Sequence, residues 1–301
     1  MRRLALVGML LTVALATQAQ LGRKIAPQMQ KGAEKSYVVK TVTETAGQAA
    51  VTSTSEDHYA VVDATADGYV IDVTTTSYTT DAAADNLPAQ MRGIGQSMMK
   101  GITVRMATDK DGKPVKLLNM DEVKPKMTAA AKEAIEKLYK ANPAMAQAVP
   151  QEAMLQQLEQ SLTEAALLSS LGTSSSIFVL NGKTVMTGAQ EEYVGEQGIK
   201  MKRMYFANGD NITTSSSLNM TNDEIKALIL SQLEKALQPD QVEMVKQNID
   251  QMMQSGMLKI DVKETATYAL QADGWVKSIK VERNIENPGE TVKETTEVTC
   301  K

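Results

Sequence analysis

The chain has 301 residues, 43% of them hydrophobic, and a formal net charge of −4 at pH 7. Mild acidity argues against a nucleic-acid backbone as partner. One histidine and one cysteine exclude a histidine-rich zinc or copper centre and an internal disulfide, so stability must come from an apolar core. Aromatic residues make up only 4% against 19 methionines, so flexible thioethers fill space that Phe usually fills.

Residues 1–19 read as a signal peptide. Arg2 and Arg3 form a positive n-region, and the apolar run Leu4 to Ala16 is shorter than the ~20 residues of a comfortable membrane span. Thr17-Gln18-Ala19 fits the small-x-small cleavage rule, which puts the mature start near Gln20. An uncleaved anchor is the alternative. The only cysteine is Cys300, so no lipid anchor is expected. The expected location is the periplasm or the exterior, without a membrane span after cleavage.

Residues 20–35 show no clear period and read as a loose N-terminal arm. Residues 36–301 read as a single α+β domain, or as two similar lobes, 36–172 and 175–301. Tyr37–Thr45, Val51–Thr65 and Tyr69–Thr80 are Val- and Thr-rich strands. A short helix is expected within Ala82–Gly101. A hairpin follows, Ile102–Thr108 and Pro114–Asn119, around Asp109-Lys110-Asp111-Gly112. Thr128 is expected to cap a helix that carries Ala131, Ile135 and Leu138 inward. Pro150 opens a second helix, with Met154, Leu158, Leu162, Ala165 and Leu168 inward and Gly172 closing it.

Strands resume at Ile177–Leu180, Thr184–Met186, Glu191–Val194, Ile199–Phe206 and Ile212–Leu218. Thr221-Asn222-Asp223-Glu224 is a capping box. Ile225, Leu228, Ile229, Leu233, Ala236 and Leu237 then recur at helical period. Pro239 starts a second helix with Val242, Val245, Ile249 and Met252 on one face, and Gly256 ends it. Leu258, Ile260, Val262, Ala266, Tyr268 and Leu270 share one parity of the next strand. Ala272-Asp273-Gly274 and Asn287-Pro288-Gly289 turn the chain through two more strands, which end at Cys300. The fold class is therefore α+β: a large curved, mainly antiparallel sheet with two helix pairs packed on one face. Ala66-Asp67-Gly68-Tyr69 echoes Ala272-Asp273-Gly274-Trp275, which either marks an internal duplication or reflects common hairpin grammar.

Catalytic signatures are sparse. Ser-His-Asp or Cys-His chemistry would have to use His58, at the start of a strand core, where a structural or solvent-facing role is the simpler reading. Ser97-Met98-Met99-Lys100 matches S-x-x-K, but Lys183-Thr184-Val185 lacks the glycine of the companion motif and precedes the loose S-x-N at Ser217. The Asp109 turn lacks the later ligands of a calcium loop. Met201 and Met204 are three apart, so on a strand they point to opposite faces and do not converge on Cu(I). No phosphate loop, zincin motif or cofactor signature is present.

Thr- and Ser-rich strands such as Thr213–Ser217 imply that one sheet face is wet. With helices on the other face, Ile102–Lys126 and Tyr268–Glu282 resemble the half-barrel of the lipoprotein-localisation and lipoprotein-carrier fold. They are also similar to uncharacterised exported bacterial proteins with a strand-DG-strand-helix layout. The resemblance implies an apolar cavity between sheet and helices. The expected function is non-enzymatic binding of an apolar or amphipathic, lipid-like partner, with no nucleic acid, metal or cofactor involved. The expected lining is Leu228, Leu233, Val245, Ile249, Met252, Tyr268 and Trp275. The alternatives are an interaction module with a filled core and a hydrolase with an unrecognised site.

Overall fold

A computed structural model describes residues 22–83, 86–143, 145, 150–195, 198–236, 239–255, 258, 260–287 and 290–301. The expected signal peptide, Gly256 and the Pro288-Gly289 turn lie outside these residues. The strands are β1 (Arg23–Lys24), β2 (Glu34–Thr45), β3 (Val51–Ala64), β4 (Tyr69–Thr80), β5 (Thr103–Thr108), β6 (Pro114–Leu117), β7 (Thr184–Val185), β8 (Gln190–Val194), β9 (Lys200–Asn208), β10 (Asn211–Leu218), β11 (Asp261–Leu270), β12 (Val276–Asn287) and β13 (Glu290–Cys300). The helices are α1 (Leu87–Ser97), α2 (Met120–Ala141), α3 (Gln151–Ser161), α4 (Glu164–Ser170), α5 (Asn222–Ala236) and α6 (Pro239–Gln254).

Eleven strands form one open antiparallel sheet in the order β6-β5-β4-β3-β2-β13-β12-β11-β10-β9-β8. It is two meanders joined where β2 pairs with β13. One hydrophobic cluster spans the join, from Ile71 and Tyr59 to Tyr268 and Ile279. The expected fold class holds: the sheet is large and antiparallel, and the chain is α+β. The outer face is wet, as the Thr and Ser runs require: the hydroxyls of Thr74 and Thr103 meet at 2.7 Å there. No helix among the described residues is long and apolar enough to cross a membrane.

Both hydrogen bonds of the capping box form. The Thr221 N–H donates to Glu224 Oε2 at 2.9 Å, and the Glu224 N–H donates to Thr221 Oγ1 at 3.3 Å. Four expectations need correction. Ile177–Leu180 is not a strand. All four residues are buried, and the segment turns on itself through bonds such as Val179 N–H to Ser176 O. A strand with one wet face has no use for four consecutive apolar side chains, whereas a plug pressed onto the sheet buries them all. Phe178 meets Tyr59 edge-on at 5.8 Å.

The arm is docked, not loose. Ile25, Pro27 and Met29 are buried in alternation. Ile25 N–H donates to Lys183 O and Gln28 N–H to Asp273 O, and β1 pairs with β7. Thr128 lies within a helix that begins eight residues earlier at Met120 and contains Pro125. The second expected helix is two: Thr163 stops the first and caps α4, accepting from the Ala166 N–H at 3.1 Å, while Leu162 turns inward.

The docked arm explains Gly274. Its φ is +83°, and a Cβ there would lie 2.8 Å from Pro27 Cα. Gly47 has a similar φ of +78° but faces open space. Gly47→Ala is expected to cost only the left-handed strain, roughly 1–2 kcal/mol. Gly274→Ala should cost more and should also speed amide exchange at Ile25 and Gln28. Equal destabilisation without faster exchange would show that the arm is not latched at this turn.

Candidate functional site

The inward-facing residues of β8–β13 and β2 fall into cross-strand rows. The solid core contains the row Ile212–Tyr268–Ile279–Val298–Val39. Four residues along the strands lies a different row: Glu191–Arg203–Ser216–Glu264–Arg283–Glu294–Thr43. Beyond it the face is apolar again, with Tyr193, Met201 and Leu218 on β8–β10 and Val262, Ile285 and Val292 on β11–β13.

The polar row is closely bonded. Arg203, 1% exposed, donates from Nη1 to Glu191 Oε1 at 3.1 Å and from Nη2 to Ser174 Oγ at 2.9 Å. Its guanidinium sits 4.2 Å from the centre of the Tyr193 ring. Ser174 in turn donates to Glu264 Oε1. Glu264, 4% exposed, accepts from Nε and Nη2 of Arg283 at 2.9 and 2.8 Å. At the edge strand, Glu191 also accepts from Lys183 Nζ at 2.5 Å and Tyr205 Oη at 2.6 Å. Burial alone would raise the Glu191 carboxyl, but the bonds from Lys183 and Tyr205 outweigh it and hold the group below its ordinary value. Burial pushes the Lys183 ammonium down despite its partner. Burial, then Glu191, pushes the Tyr205 phenol well above its ordinary value.

Over the outer apolar row lies a cavity of about 580 Å³. One wall is sheet: Tyr193, Met201, Val262, Glu264, Arg283 and Ile285. The other is α4 with the residues after it, including Ala166, Ser169, Thr173 and Ser174. Ser174 thus belongs both to the cavity wall and to the charged row. The volume lies within the roughly 300–1,000 Å³ of small-molecule sites.

The expected lining is distributed elsewhere. Tyr268 is fully buried in the core, its hydroxyl donating to Ser174 O at 2.9 Å. Trp275 is 3% exposed beside the arm, at the opposite end of the sheet face. Leu228, Ile249 and Met252 belong to the α5–α6 hairpin. Ile249 is buried, Leu228 and Met252 are half-buried, and none of the three belongs to the cluster built on the sheet. The side chains of Leu233 and Val245 lie outside the described residues. What covers the meander is the 174–180 plug and the arm, while the helix hairpin stands beside Gly198 and Lys200, joined by Lys200–Glu224 at 2.5 Å.

The other candidates have ordinary partners. His58 is on the outer face, with Nδ1 3.1 Å from Ser36 Oγ. Ser97 donates to its own helix at Ile94 O. Asp109 Oδ1 accepts the N–H groups of Asp111 and Lys113, which makes it the organiser of its hairpin. Met201 is buried in the cavity wall, and Met204 falls on the opposite parity. Cys300 is half-buried against the core and pairs with Tyr37 across strands. Thr214 Oγ1, on a fully buried residue, meets no partner at full hydrogen-bond geometry and lies beside the Tyr268 hydroxyl, which donates to Ser174 O instead.

Sequence reasoning missed the polar row. The signal was present as interruptions of parity: Arg203 between Met201 and Tyr205, Glu264 between Val262 and Ala266, Arg283 between Val281 and Ile285. A charge at an inward position needs a partner: Arg203 takes Glu191 and, through Ser174, Glu264, which takes Arg283.

No protein-family model matches the chain, and no curated protein matches it. Among solved structures, lipovitellin, in a study of its lipid–protein interactions, is similar at 8% identity over 90% of this chain and 25% of that one, with a TM-score of 0.42. An outer-membrane channel from Pseudomonas putida F1 is similar at 8% identity over 91% of this chain and 97% of that one, with a TM-score of 0.16. The chain thus spans a quarter of the lipovitellin chain, and at these scores neither likeness bears on function.

Two expectations follow from the row. Glu264→Leu removes the buried carboxylate that Ser174 and Arg283 share, and should cost about 3–5 kcal/mol in denaturant unfolding. A loss below 1 kcal/mol would mean that water reaches Arg203 and Arg283. The depressed Glu191 carboxyl contributes stability that is fully present above the ordinary value of 4.5 and is lost as pH falls through its lower folded value. Glu191→Gln should therefore flatten the acid limb of the stability–pH curve, and an unchanged limb would contradict the pairing.

Proposed function

We propose that this is an exported, non-enzymatic protein that holds an apolar or amphipathic, lipid-like ligand between sheet and α4. One observation carries the reading: an open volume of about 580 Å³ lies over an apolar inward row of β8–β13, Tyr193, Met201, Val262 and Ile285, beyond the reach of the plug and arm. The core rows beside it are buried and in contact. Val262, Ile285 and Met201 offer a dry surface, and the flexible Met201 thioether adapts to differently shaped chains. The polar row supplies no excess charge, because Glu191, Glu264 and Glu294 balance Lys183, Arg203 and Arg283. The affinity would therefore come from apolar burial, with polar groups setting orientation.

The test uses N-phenyl-1-naphthylamine, an uncharged apolar dye that brightens in dry sites. The protein is expected to bind it with micromolar affinity. Ser169 is exposed on α4 and lines the cavity, so Ser169→Trp should fill the site from its rim. Dye affinity should fall at least tenfold with stability unchanged within about 0.5 kcal/mol, as for surface substitutions. Native mass spectrometry of the purified protein should find a copurified lipid. Absence of dye binding by the unmodified protein would overturn the reading.

A further inference from the structure

The cavity between α4 and the sheet has one apolar wall and one polar wall. Met201, Val262 and Ile285 line it from the sheet, and Ser170, Thr173 and Ser174 from the end of α4 and the turn after it. The hydrogens of the polar wall are already placed. Ser170 Oγ donates to Leu167 O at 2.7 Å, Thr173 Oγ1 to Ser170 O at 2.9 Å, and Ser174 Oγ to Glu264 Oε1. The N–H groups of Gly172 and Thr173 go to Ser169 O and Ser170 O, and that of Gly195, which also lines the cavity, goes to Ile199 O. A hydroxyl that donates keeps two lone pairs. Ser174 Oγ spends one on Arg203. Ser175 Oγ, 3.4 Å from Thr173 Oγ1, takes at most one there. Ser170 and Thr173 therefore offer acceptors to the cavity, not donors.

We propose that the polar end of the ligand in this cavity is uncharged and donates hydrogen bonds, as the hydroxyls of a monoacylglycerol or a long-chain alcohol do. The inference rests on the cavity reading above and names the head that the site selects. The two charged residues of the lining, Glu264 and Arg283, face each other through two hydrogen bonds at 2.9 and 2.8 Å. A carboxylate or phosphate head would enter with Arg283 already given to Glu264, and would meet the lone pairs of Ser170 and Thr173. An ammonium head can donate to those lone pairs, but Glu264 already serves Arg283 and Ser174, so the cation would lose its hydration without a counter-ion. An ester or ether head without hydroxyls costs no charge but leaves acceptor facing acceptor. A neutral hydroxyl head meets none of these penalties, and its chain lies along Met201, Val262 and Ile285.

The experiment is displacement of N-phenyl-1-naphthylamine by 1-lauroylglycerol, methyl laurate, laurate and dodecylammonium, each below its micellar concentration, at about pH 8, where the acid and the amine are both ionised. The chains match and only the heads differ. Methyl laurate has no donor and less polar surface, so apolar burial alone would rank it first. Instead 1-lauroylglycerol should bind about tenfold tighter than each of the other three, the size of two neutral hydrogen bonds. Ser170→Ala and Thr173→Val should each narrow the ratio of lauroylglycerol to methyl laurate affinity about fivefold, the effect of one such bond. Ser170 is exposed on α4, so its variant reads the contact even where Thr173→Val disturbs the turn. A competitor that binds as tightly as 1-lauroylglycerol, or a ratio unmoved by both variants, would overturn the donor head while leaving the cavity reading intact. Failure of the dye to bind at all would overturn both.

Discussion

The rest of the structure depends on the row of buried charges that crosses the inner face from Glu191 to Glu294. Removing a guanidinium and a carboxylate from water costs several kcal/mol each, and only close partners offset it. Arg203 and Glu264 are linked through the single hydroxyl of Ser174, so the plug that carries Ser174 is tied to the sheet at the point where the charges must be satisfied. The row also pins register. A one-residue slip of β9 or β11 would turn Arg203 or Glu264 to the outer face and strand the partner inside. An aliphatic row would resist slipping too, but could repack.

The row also explains why the inner face is not uniformly filled. On one side the strands carry Tyr268, Ile279 and Val298, covered by Ile177–Leu180 and the arm. On the other they carry Val262 and Ile285 with open volume above. The plug closes over the sheet as far as Ser174, where its polar anchor is, and α4 stands off beyond. The boundary between packed and open regions thus coincides with the charges.

Strand and helix placement was largely legible in the sequence, because alternation, Asp-Gly turns and the Thr221 capping box are local signals. β9, β10, β12, β13, α5 and α6 follow from such signals within a residue or two, while β11 begins at Asp261, three residues after the alternation starts at Leu258. The errors fell where tertiary contact overrides local pattern. Ile177–Leu180 has the composition of a strand, yet its burial on every side comes from a sheet contributed by distant residues. Ile25, Pro27 and Met29 do alternate, but a three-residue alternation broken by Pro and flanked by polar residues is indistinguishable from chance. The site was harder still. Its residues are the exceptions to the parity that located the strands, so a reading tuned to find apolar alternation passed over Glu264 and Arg283. Tyr268 and Trp275 are large and inward, which alone does not separate a cavity lining from a packed core, and here both are core.

The union of β2 with β13 has a consequence for how the molecule comes into being. Thr41 and Thr296 share a hydrogen bond across 255 positions of sequence. An early strand therefore waits for a late one, with its backbone donors and acceptors open until β13 arrives. Pairings of such long range are slow, because the intervening loop must be closed before any contact repays it. The central seam of the sheet, which looks in the finished fold like its most protected place, cannot form before the last strand exists. Until then the two meanders present raw edges to every other chain nearby. The lysines and glutamates that punctuate both strands, Lys40 and Glu44 on one and Lys293 and Glu297 on the other, keep those edges hydrated during the interval.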